Sequence, residues 1–178
     1  MNAIARARTG AVAVILAIGY LVTMYLFGAQ PTHENRAGSS AAGLLGSEDE
    51  TVISVRISAN GNSFTADSRD GRWRMPDGDV ADTALHRRID ELIVLFRRSP
   101  PVRIMTPEQT AGVAAAAFGL QPPALRVEFR ATGQRSLLAA QFGDTVSNEV
   151  ARYLRTDGVA DTYIVSGFLY DAAHALLE

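Results

Sequence analysis

The hydrophobic pattern divides the chain into an uncharged apolar run, a polar strap, and a long stretch in which periods of two and of about 3.6 alternate. The run Ala11 to Ala29, AVAVILAIGYLVTMYLFGA, carries no charge and at a 1.5 Å rise would make roughly 28 Å of helix, about one hydrocarbon core. It predicts a single transmembrane helix. From Gln30 to Thr51 the chain is rich in Gly, Ser and small residues without a sustained period, the composition of a linker. Within it, Leu44 and Leu45 read as an incidental apolar pair that could pin the strap to a surface.

From Val52 the period becomes two, with Ile53, Val55 and Ile57 on one side and Val52, Ser54, Arg56 and Ser58 on the other. Asn60-Gly61 and Asp70-Gly71 are tight-turn signals, so residues 52 to 75 predict a three-stranded meander whose last strand carries Trp73 and Met75. After Pro76 the period lengthens. Asp79 or Asp82 can cap a helix whose Leu85, Ile89, Leu92 and Phe96 make an apolar stripe, with Arg87, Arg88, Glu91 and Arg98 outward. Thr106-Pro107-Glu108-Gln109 has the form of a second helix start, running through Phe118 to Gly119.

Pro122 and Pro123 re-extend the chain into strands 125 to 129 and 137 to 142, with turns expected at Thr132-Gly133 and Gly143-Asp144. Val150 to Leu154, the turn Asp157-Gly158, and Thr162 to Val165 give two more strands, and Phe168 to Leu177 a closing helix. The sum is an α+β domain, residues 52–178, with a mostly antiparallel sheet of seven or eight strands and three packed helices.

Charge orients the anchor. Arg6 and Arg8 precede the apolar run and no acid does, which keeps residues 1–10 in the cytoplasm and places residues 30–51 and 52–178 outside, in the periplasm of a Gram-negative cell. A cleaved secretory peptide is the competing reading. Cutting after Ala29 or Gly28, however, puts Phe27 or Leu26 where a small residue is needed. Inside the anchor, Tyr20 and Thr23 carry hydroxyls that lipid cannot satisfy, and Ala13 and Ala17 offer a smooth strip below them. These four residues are the candidate contacts with transmembrane helices of a partner.

Composition removes several chemistries. The chain has no Cys, hence no disulfide, thiolate nucleophile or thiolate metal ligand, and its 17 basic residues are all Arg, which excludes Schiff-base catalysis by Lys. A formal net charge of −2 gives no broad footprint for nucleic acid. His33, His86 and His174 are dispersed, Ser39-Ser40 lies in the linker, and Ser166-Gly167 lacks the nucleophile-elbow pattern. The best local cluster is Asp82, His86 and Asp90 at successive fours. It could be imagined as a metal or general-base site, but reads more simply as a solvated border of the helix stripe. Trp73 and Tyr163 read as core or sheet-face residues.

The order Trp73, Asp82 before the Leu85 to Phe96 stripe, Phe118-Gly119-Leu120-Gln121-Pro122-Pro123, Phe142-Gly143, Tyr153-Leu154-Arg155, Gly158 and Tyr163-Ile164-Val165 resembles the family catalogued as domain of unknown function 4340, over about residues 52–177 in one copy. Phe118 and Leu154 stand where that family's pattern has Tyr and Val. The resemblance implies a membrane-anchored extracytoplasmic module, in some members associated with ABC-type export or gliding-type transport, and supplies no catalytic residues. The sequence thus predicts a non-catalytic accessory or assembly subunit of a larger membrane protein complex, without cofactor, in the bacterial inner membrane. An auxiliary extracytoplasmic component of an ABC-type export or gliding-type transport system is the alternative. A small-ligand or glycan binder and an enzyme are the remaining classes.

Overall fold

The computed structural model describes residues 43–46, 49–146 and 150–178. The predicted anchor with Ala13, Ala17, Tyr20 and Thr23 lies outside the described residues, as do His33 and Ser39-Ser40. Among the described residues no helix is long and apolar enough to cross a membrane.

The meander forms as its turns require. Strands β1 (Ser54–Ala59), β2 (Asn62–Arg69) and β3 (Arg72–Arg74) are joined by Asn60-Gly61 and Asp70-Gly71, and all four turn residues have positive φ. That geometry matches the right-handed twist of the strands. The alternation slips just before β1, where Val52 is buried and Ile53 only half-buried.

Helix α1 (Thr83–Arg98) follows, and Asp82 Oδ1 accepts from the Leu85 N–H at 2.7 Å as its cap. Strands β4 (Arg103–Met105), β5 (Leu125–Arg130), β6 (Ser136–Thr145), β7 (Ala151–Thr156) and β8 (Thr162–Ser166) and helix α2 (Gly167–His174) complete the chain.

The eight strands make one sheet in the order β3-β2-β1-β5-β6-β7-β8-β4, every neighbouring pair antiparallel. Both edges are strands of three residues bearing Arg, a form that discourages edge-to-edge association. Val55 and Ile57, with Val127, Phe129, Ala140, Phe142 and Leu154, line the face on which both helices pack. Ile89, Leu92 and Phe96 of α1 are buried there, and the Phe96 ring meets Phe129 and Phe142 edge-on at 5.0 and 6.2 Å. Leu169 and Ala173 do the same from α2.

The opposite face carries Arg126, Glu128 and Arg130 along β5. Glu128 accepts from Arg126 Nε at 2.9 Å and from Arg130 Nη2 at 3.0 Å.

Two expectations change. The expected helix over 106–118 is absent, so among the described residues two α-helices and not three pack on the sheet. Gln109 does reach back to the Thr106 N–H at 3.3 Å, but Gly112 takes φ +81° and Ala114 is extended, leaving turns and one short 3-10 turn, Ala115–Phe118. Nor does Gly143-Asp144 turn the chain. It continues β6 through an irregularity between Phe142 and Thr145, because Phe118 crosses so closely that a Cβ on Gly143 would lie 2.0 Å from the Phe118 carbonyl oxygen.

Residues 43–46 of the strap are part of the packing. Leu45 is buried in the core, and the Gly43 and Leu45 N–H groups donate to the Arg97 and Phe96 carbonyls at 2.8 and 3.2 Å. The apolar pair is therefore pinned to the end of α1 and is not incidental.

Candidate functional site

Helix α1 buries one stripe and leaves the rest of its circumference to solvent, as an amphipathic helix on a two-layer fold must. Val94 lies two positions from Leu92, about 200° around the axis, and so cannot reach the core. It is 45% exposed. Before α1, the segment after β3 folds back: the Ala81 N–H donates to the Trp73 carbonyl at 2.9 Å and Arg74 pairs with Val80. Val80 is left 46% exposed. Both valines line an open groove of about 870 Å³, whose lining also includes Gly71 and Arg72 and recurs along α1 from Thr83 to Arg98.

Apolar surface comes from Val80, Ala81, Val94 and Leu95, polar surface from His86, and charge from Arg72, Arg87, Asp90, Glu91 and Arg98. Its volume is within the roughly 300–1,000 Å³ of ordinary ligand sites, but it is open along its length.

The cluster Asp82, His86 and Asp90 resolves into separate tasks. Asp82 caps the helix. Asp90 Oδ1 accepts from Trp73 Nε1 at 2.9 Å, and its Oδ2 lies 3.3 Å from His86 Nε2. Trp73 is 4% exposed, so the bond satisfies a nearly buried donor and ties the edge strand to α1. Asp90 is a structural link with both oxygens engaged, and the border residues are thus more than solvated. No group of three or more His, Cys, Asp or Glu that could hold a metal occurs among the described residues.

Elsewhere, Arg152 Nη1 donates to the Gly143 carbonyl at 3.1 Å and its guanidinium lies 3.7 Å from the Tyr170 ring centre. Tyr170 stacks in turn on His174. Ser166 is a helix cap whose Oγ accepts from the Phe168 N–H at 3.3 Å. Tyr163 is half-buried on the helix-covered face, and that burial raises its phenol above the ordinary value.

The hydrogen bonds with Arg126 and Arg130 hold Glu128 below the usual carboxylate range, against its partial burial. The Arg126 guanidinium is held more firmly protonated by the same partner.

Sequence reasoning found Asp82, His86 and Asp90 but not the groove that His86 and Asp90 line. The missed residues are Arg72, Val80 and Val94. An available signal was Val94, a valine amid Arg87, Arg88, Glu91 and Arg98 on the outward side of α1.

No family model matches the chain, and neither a curated protein nor a solved structure matches it.

Proposed function

We propose that the chain is a non-catalytic accessory or assembly subunit, held in the bacterial inner membrane by residues 11–29, whose extracytoplasmic domain docks on a larger membrane protein complex through the groove beside α1. The observation that carries the docking claim is the groove itself. It runs along α1, includes exposed Val80 and exposed Val94 in its lining, and carries charged side chains around them, as an apolar centre within a polar rim would. The uncharged run after Arg6 and Arg8 supports the anchor and its orientation. The residue order that resembles domain of unknown function 4340 supports an extracytoplasmic module.

Two measurements on the full chain test the reading. Reporter fusions after Glu178 are expected to be active only with an extracytoplasmic reporter. Affinity purification from native membranes in mild detergent is expected to bring down a stoichiometric set of integral membrane subunits. A cytoplasm-only reporter signal, or a chain purified alone at every detergent strength, overturns it.

A further inference from the structure

We infer that the occupant of the groove is an amphipathic helix of the partner, with apolar residues facing Val80 and Val94 and carboxylates on its flanks. This rests on the docking reading and names the chemistry of the partner. Shape argues for a helix: the lining recurs on one flank of α1 through all of its 16 residues, about 24 Å, so the groove is long and open where an enclosed pocket would be short and deep. A helix laid beside α1 at the usual 8–10 Å separation brings its own stripe onto the two valines.

Charge argues for carboxylates. Asp90 is taken by Trp73 and His86, and Glu91 Oε1 lies 3.6 Å from Arg87 Nε. What remains in the lining is Arg72, beside the β2–β3 turn, and Arg98, in the last turn of α1, and neither guanidinium has a partner among the described residues. The uncommitted charge of the groove is therefore positive, and a partner that supplies carboxylates gains steering and register from it.

The test is site-specific photocrosslinking in native membranes. A benzoylphenylalanine replaces Val94 in the full chain or, as control, Val159, exposed in the β7–β8 connection across the sheet. Crosslinked peptides are then sequenced. The expected result at position 94 is a peptide with apolar residues spaced by three and four and Asp or Glu beside them. R72E with R98E should lower its yield by about tenfold, and Arg placed at the acidic positions of that peptide should restore it.

A lipid adduct, a peptide without acidic flanks, or a yield indifferent to charge reversal overturns the inference. So does absence of any adduct at 94 while the complex still co-purifies, which also removes the groove as the docking surface and leaves only association with the complex. Absence of a co-purifying complex for the unmodified chain overturns the docking reading itself.

Discussion

The Trp73 indole and the Asp90 carboxylate join the sheet's edge strand to the middle of α1, Nε1 donating to Oδ1 at 2.9 Å. Asp90→Ala leaves a nearly buried donor unpaired and is expected to cost about 1–3 kcal/mol, with Asp90→Asn milder because its carbonyl oxygen still accepts. Chemical denaturation followed by the emission of Trp73, the chain's single tryptophan, reads both. Equal stability of all three proteins would show that the bond contributes nothing.

The stripe of α1 is expected to behave as core. Leu92 is 1% exposed, so Leu92→Ala should destabilise by about 2–5 kcal/mol in a denaturant titration. A change near zero would mean that the helix is loosely held.

Gly143 and Gly61 separate crowding from backbone conformation. A Cβ on Gly143 meets the Phe118 carbonyl, whereas Gly61 has φ +85° with open space around it. Gly61→Ala is expected to lower stability by about 1 kcal/mol, the ordinary cost of a left-handed alanine. Gly143→Ala should lower it further, since Phe118 must shift and disturb its tilted ring contact with Tyr153, 4.9 Å away between ring centres. Thermal melts of the two variants compare them directly, and equal costs would rule out the close crossing.

Thr162 is fully buried, and its Oγ1 has no hydrogen-bond partner among the described residues. Thr162→Val keeps the volume and removes the unpaired hydroxyl, so it should raise the melting temperature or leave it unchanged. A marked drop would show a hydrogen bond there.

Glu128 ties acid stability to the charged face of the sheet. Its hydrogen bonds with Arg126 and Arg130 depress its pKa in the folded state relative to the ordinary 4.5, so its contribution is complete above that value and is lost as pH falls through the lower folded value. Glu128→Gln should therefore flatten the fall of stability below pH 4.5 while costing stability at neutral pH. An unaltered acid limb would remove Glu128 from the account.

Local chemistry was legible where one or two residues decide the outcome. Asn60-Gly61 and Asp70-Gly71 specify their turns through positive φ, Asp82 specifies its cap, and the spacing of Ile89, Leu92 and Phe96 specifies the buried side of α1. The misread places depend on distant chain. Gly143 looks like a turn glycine, but its lack of a side chain serves the crossing of Phe118, which no local pattern announces. The helix start at Thr106 is well formed and still fails, because Gly112 ends it before a packed stripe could stabilise it. The groove was hidden for the same reason. It exists only when the chain after β3 returns to Arg74 and brings Val80 into the same lining as Val94.

The central claim, docking through the α1 groove, is tested most directly by co-purification of the full-length Val94→Glu chain from native membranes. Val94 is exposed and outside the core, so the variant is expected to fold and insert like the wild type, while a charge now sits in the apolar centre of the groove. The account predicts loss of the co-purifying subunits with Val94→Glu and their retention with Val159→Glu. Retention of the subunits at wild-type yield by Val94→Glu would contradict it.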